Sequence, residues 1–238
     1  MRTTACASPN SSRVPIARSS MDGLIAAASH AHAFVPLDVL AGLAVLSVLP
    51  FALVMCTSFV RIVVVLSLVR SAIGASAVPP NAVLSGLALV LTMVVMAPAL
   101  ERIDREALGP YARGKLSQSQ ALTRALRPLR AFMLRQTRLA DVRLFERVAH
   151  RAPEPAQHAR LLVIVPAFVV GELRNAFAIG FALYLPFVAI DLAVSALLMG
   201  LGMMMLSPPV VSLPIKLLLF VMVDGWALVC GGVTASFR

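Results

Sequence analysis

Charge is scarce in this chain of 238 residues: 13% are Asp, Glu, Lys or Arg, against roughly 25% in an ordinary soluble domain. That scarcity excludes a largely disordered chain and a nucleic-acid module with a dense phosphate-binding face. Cysteine is scarce too. Cys6, Cys56 and Cys230 are too few and too scattered for a disulfide scaffold, and no CxxC pair or Cys/His cluster is there to ligate a metal. Cys56 and Cys230 lie in apolar runs, where cysteine behaves as a small hydrophobe. There is no Gly-rich phosphate loop and no GxSxG. None of His30, His32, His150 and His158 stands beside a cysteine or paired carboxylates at ligand spacing. No enzyme activity, cofactor or metal is expected.

What the chain has is apolar surface. Hydrophobic residues make up 59% of it and its mean hydropathy is +0.88, the composition of an integral membrane protein. The expected fold is all-α: only helices or closed barrels satisfy backbone polar groups in lipid, and the apolar runs are continuous rather than alternating, which excludes a barrel.

Four regions follow. Residues 1–37 are polar and basic, with Arg2, Arg13 and Arg18, and read as a disordered arm. Ala31-His32-Ala33 fits a signal-peptide cleavage site, but the preceding apolar stretch Leu24–Ala28 is shorter than the ~7–15 residues such a peptide needs, so none is expected. Residues 38–100 read as a helical hairpin. Val39–Val60 offers 22 uncharged residues and Ala82–Leu100 another 19, each near the length that crosses ~30 Å of hydrocarbon. Gly74 and Pro79-Pro80 break the helix between them.

Residues 101–160 are different material, with 13 Arg/Lys and six Asp/Glu, and so supply +7 of the chain's net +10. Leu122, Leu126, Leu129 and Met133 recur at helical spacing, as do Val142, Phe145 and Val148. Pro128 is expected to mark a boundary between a pair of amphipathic helices. Because aromatic stacking residues are nearly absent, the basic run reads as a solvated helical face rather than a nucleic-acid patch.

Residues 161–238 are apolar again, interrupted by Glu172, Arg174, Asp191, Lys216 and Asp224. Pro186 and Pro214 should kink their helices. A charge at a bilayer centre costs about 2.5–3.5 kcal/mol on insertion scales, so it faces protein or water, or else ends a helix at the interface. Both readings stand for Arg61, Glu172 and Arg174. Glu172 and Arg174 are two apart and cannot face each other on one helix; their partners must come from elsewhere. Asp191 and Lys216 lie equally far from Gly202-Met203-Met204-Met205. If that stretch is a hairpin tip, the two meet as an ion pair, within one chain or between copies. Several methionines together make a soft apolar surface that conforms to varied partners, although such clusters are commonly core packing.

The pattern Leu49-Pro50-Phe51 through Ser58-Phe59-Val60-Arg61-Ile62, then Val78-Pro79-Pro80-Asn81 and Met96-Ala97-Pro98, resembles the FliP/SctR family of type III secretion export proteins. So do Glu172-Leu173-Arg174, Leu185-Pro186-Phe187, Ile190-Asp191-Leu192, Gly202-Met203-Met204-Met205, Ser212-Leu213-Pro214-Ile215-Lys216-Leu217 and Asp224-Gly225-Trp226. The similarity runs from about residue 38 onward and is weakest over 101–160. It implies a multi-pass subunit of the bacterial inner membrane, a homo-oligomer of five copies. Its implied partners are FliQ/SctS-type, FliR/SctT-type and FlhB/SctU-type subunits, membrane lipid and unfolded secreted proteins, with no nucleic acid. By motif match, Met203, Met204 and Met205 would form a pore gasket, and Arg61, Glu172, Arg174, Asp191, Lys216 and Asp224 would hold subunits together. The positive-inside bias alone would put 101–160 in the cytoplasm, whereas the resemblance puts it on the periplasmic side and is preferred.

Within the family the want of a signal peptide favours the injectisome branch, and with it a virulence role, over the flagellar alternative. A reading from another class is a small-solute transporter or channel with Pro-broken helices and midplane charges, though no inverted repeat is visible. A third, an RNA- or lipid-binding anchor using 101–160, predicts steep salt dependence.

Overall fold

A computed structural model describes residues 42, 43, 47, 50, 51, 54–75, 78–150, 152, 154–155, 159–203 and 205–237. The expected arm, the Ala31-His32-Ala33 site, ten residues of the Val39–Val60 run, His158 and Met204 lie outside the described residues. The chain divides into two units, Met1–Val48 and Leu49–Arg238; everything below concerns the second.

Every regular element among the described residues is helical: α1 (Phe59–Ile73), α2 (Asn81–Ile103), a π-helical turn (Asp104–Leu108), α3 (Gly109–Ala112), α4 (Gln118–Gln136), α5 (Leu139–Val148), α6 (Leu161–Gly200), α7 (Pro208–Met222) and α8 (Gly225–Ala235). Gly74 ends α1 because its φ of 86° is open to a residue without a Cβ. Arg70 braces the turn into α2 by donating to Pro79 O and Asn81 Oδ1. Ser117 and Gln120 form a reciprocal capping box at the start of α4.

α6 organises the molecule. It is apolar all round, yet its buried positions form one stripe, running Ile164, Phe168, Glu172, Ala176, Gly180, Phe187, Val194, Leu198 at the three-to-four spacing of a single helix face. Small residues on that stripe let α1 come close; a Cβ added at Gly180 would run into the Leu68 side chain. α1, α2, α6, α7 and α8 share one core around Val65, Leu66, Val69 and Phe220. A second core forms where the apolar edges of α4 and α5 (Phe132, Met133, Val142) meet Met96 of α2 and Ile164, Ala167 and Phe168 of α6.

One expectation changes. Pro128 marks no boundary: α4 runs through it, and the break comes at Thr137-Arg138. A proline there denies a hydrogen bond to the Arg124 carbonyl, but Arg124 is exposed and water can serve that carbonyl. α6 is one 40-residue helix that contains Pro166, Pro186 and three charged residues. Of the helical-period residues in the basic region, Met133 and Val142 are buried while Leu122 and Val148 stay exposed. Among the described residues, two helical stretches, Asn81–Ala112 and Leu161–Gly200, are long and apolar enough to cross a membrane; α7 and α8, bent by 65° to each other, make a third if taken as one broken span.

Candidate functional site: buried ion pairs and the methionine loop

Arg61 sits in the first turn of α1 with a side chain 2% exposed, facing a fully buried Glu172 on α6. Its guanidinium is used up. Nε donates to Glu172 Oε2 at 2.9 Å and Nη2 pairs with Oε1 of the same carboxylate, a fork-to-fork contact. Nη1 donates to Ser236 O and Oγ, both at 3.0 Å, and Nη2 also reaches Gln136 Oε1 at 3.2 Å. Gln136 Nε2 in turn donates to Phe237 O, and the Phe237 ring lies under the guanidinium at 3.8 Å, a cation–π arrangement. Four segments therefore meet on one cation: α1, α4, α6 and the residues after α8. Neither Arg61 nor Glu172 ends its helix at an interface.

Two residues on, Arg174 turns away from Glu172 as the helical period requires. It grips Asp141 of α5 through two bonds of 2.8 Å. The bidentate Arg174 guanidinium holds the Asp141 carboxyl below its ordinary value of 3.8. This pair ties the basic region to the middle of α6.

The Asp191–Lys216 pair forms within one chain, across the α6–α7 hairpin. Asp191 also accepts from Ser212 Oγ at 2.7 Å, and Lys216 Nζ donates to Ala72 O at 3.3 Å, at the end of α1. Three helices are clasped together below the hairpin tip. The Lys216 side chain is buried and that of Asp191 is 40% exposed. Asp224 is not buried in the chain. It is exposed in a left-handed conformation (φ 49°) at the corner between α7 and α8, where Asp is tolerated; the following Gly225 is needed because a Cβ there would strike the Phe220 ring.

Past the clasp the tip carries Leu201, Gly202 at φ 70°, Met203, Met205 and Leu206. Met205 is fully exposed and Met203 is 45% exposed. Gln136, Asp141, Ser212, Ser236 and Phe237 escaped sequence reasoning. Asp141 carried a usable signal, as an acid on the apolar edge of a basic helix. No group of three or more His, Cys, Asp or Glu is gathered among the described residues.

The FliP family matches residues 42–233. The chain is 50% identical over 196 residues to the flagellar biosynthetic protein FliP of Pectobacterium carotovorum subsp. carotovorum, covering 81% of this chain and 75% of that one. Its namesake in Caulobacter vibrioides is 48% identical over 82% of this chain and 73% of its own. That of Bacillus subtilis is 46% identical over 82% and 89%. These relatives carry a flagellar name, so the injectisome preference and its virulence role find no support and the flagellar alternative fits better. That preference rested on residues 1–37, which lie outside the matched region.

Proposed function

The chain belongs to the FliP family, and from that premise we propose that it is a core subunit of a flagellar type III export gate. In this reading it is a multi-pass protein of the inner membrane that joins copies of itself and the FliQ/SctS-, FliR/SctT- and FlhB/SctU-type subunits around a pore for unfolded proteins. It carries no catalysis. The observation that carries the reading is the division of its surface. The charges within the apolar helices, Arg102 at the end of α2 and Asp224 aside, are satisfied inside the chain, while large apolar residues stand uncovered: Leu89 and Met93 on α2, Phe181 and Leu192 on α6, Leu218 and Met222 on α7.

Length supports the same reading. A helix of 40 residues is about 60 Å long, twice the ~30 Å hydrocarbon core. The first half of α6 bears Glu172 and Arg174 and packs on α4 and α5, so lipid is left for the second half at most. Its remaining apolar surface calls for protein. Arg61 and Glu172 then act by fixing α1 on α6, the surface that neighbours read, and Asp191 with Lys216 by fixing the hairpin that presents Met203–Met205. Around an oligomer axis those methionines close the pore to water and ions yet yield to a passing chain.

The test is to replace Met203, Met204 and Met205 with Ala in the otherwise complete apparatus. Assembly should be retained and ion leakage across the membrane should rise. A triple variant that seals as well as the parent rules out the gasket. A purified transporter-like monomer that moves a small solute unaided would favour the solute-channel reading.

A further inference from the structure

We infer that the outward face of α4 is a docking surface for an acidic protein segment, one presenting several carboxylates along a helix or extended strand. α4 is a 19-residue helix with no acidic residue and four arginines. Arg130 is committed, donating to Ala159 O. Arg124, Arg127 and Arg135 are exposed and make no hydrogen bond or ion pair among the described residues. On a helix, positions 124, 127, 131 and 135 fall along one face, and 11 residues at 1.5 Å each make a stripe about 17 Å long. Arg138, also exposed, follows in the extended link to α5, where its charge also acts on Asp141.

Carboxylates that could neutralise the stripe are otherwise engaged. On α5, Asp141 is held by Arg174 and Glu146 by Arg143. Asp104 and Glu106 in the π-helical turn packed on α4 are exposed and unpaired, but two acids set against these three arginines and Arg138 leave the surface positive. The extra charge is not needed for folding, since α4 is anchored by Phe132, Met133 and its capping box.

The composition of the stripe selects the occupant. Its cations are all arginine, whose planar fork matches carboxylates two bonds at a time. Its centre is Ala131, small and exposed, which lets a partner backbone approach between Arg127 and Arg135. A lipid surface is less well served: Phe132 and Met133 of α4 are spent inside the protein, and no Trp or Tyr occurs between residues 113 and 160 to anchor it at headgroup depth.

The experiment uses the full chain in zwitterionic nanodiscs and a labelled helical peptide carrying Glu at every third or fourth position, with its Gln counterpart as control. The Glu peptide should bind and the Gln peptide should not. The variant R124E/R127E/R135E/R138E should weaken binding by about tenfold or more, and added salt should weaken it in the parent. Unchanged helicity by circular dichroism keeps the variant interpretable. Equal binding of the Glu peptide by parent and variant overturns the inference. So does capture by anionic vesicles with no peptide binding, which makes the stripe a lipid contact. Loss of self-association in the variant, with no peptide binding by the parent, makes it a contact between copies and equally overturns it.

Discussion

The two halves of α6 are built from nearly the same residues and behave differently. Residues 161–180 lie against α1, α4 and α5, and their charges end in Arg61 and Asp141. Residues 181–200 lie mainly against α7 and leave Phe181, Leu185, Leu192, Leu197 and Met199 uncovered. Hydropathy is alike in both, so it does not say which half is a core and which is an interface. Satisfied charge does: the first half is electrostatically complete within one chain, although Leu162 and Phe177 stay uncovered, and the second is clasped at one point, Asp191.

The largest effect should come from breaking the complete half. Arg61→Ala leaves Glu172 as an uncompensated buried charge, which costs about 3–5 kcal/mol and strands Ser236 O and Gln136. The variant should fail to accumulate in membranes, and what can be solubilised should melt well below the parent. Replacing both partners, as R61M/E172L, removes the orphan and should recover most of the loss. A single variant as stable as the parent would mean that water reaches Glu172, and the contrast between the halves would collapse.

Some of this was legible in the sequence. The two-residue offset of Glu172 and Arg174 forces them to opposite partners by helical geometry alone. The equal distances of Asp191 and Lys216 from the methionine loop place them across a hairpin from one another. What escaped was the polar company of Arg61, because Gln136 and Ser236 lie 75 and 175 residues away in the chain and no local period connects them. Pro128 misled for a related reason: a proline's cost depends on whether its lost carbonyl finds water or a neighbour, which is a tertiary fact. Asp224 turns a corner and is exposed within the chain, a placement that hydropathy alone does not distinguish from a charge buried in a helix. Asp141 could have been found, had the acids of the basic region been weighed by helix face rather than by net charge.

The clasp of the second half should show a smaller and lopsided effect. Asp191→Ala leaves the Lys216 ammonium buried with Ala72 O as its remaining partner, whereas Lys216→Met leaves a carboxylate that is 40% exposed and still bonded to Ser212. On the cost of stranding a buried polar or charged group, about 1–3 kcal/mol and more for a charge, D191A should lie at or above the top of that range and K216M near the bottom. Thermal melting of the solubilised chain reads both. Equal losses would mean that the two side chains are equally hydrated, so that the clasp belongs with the exposed tip.

The smallest effect belongs to the joint between the first half and the basic region. Asp141 is buried, but Arg174 is 42% exposed, so solvent screening leaves this pair worth about 1 kcal/mol at most. Its signature is in pH. Arg174 lowers the folded carboxyl below 3.8, so the folded state binds fewer protons than the unfolded state in acid. The pair's stabilisation is therefore complete above the unfolded value, near 3.8, and drains away as pH falls through the lowered folded value. Asp141→Asn should lower the melting temperature slightly at about pH 7, and the gap between parent and variant should narrow as pH falls below 3.8 and through the lowered folded value. The difference isolates Asp141 from other carboxylates that titrate in the same range. A gap that stays constant into acid would mean that Asp141 is held by packing rather than by its charge, and that α5 leans on α6 through apolar contacts alone.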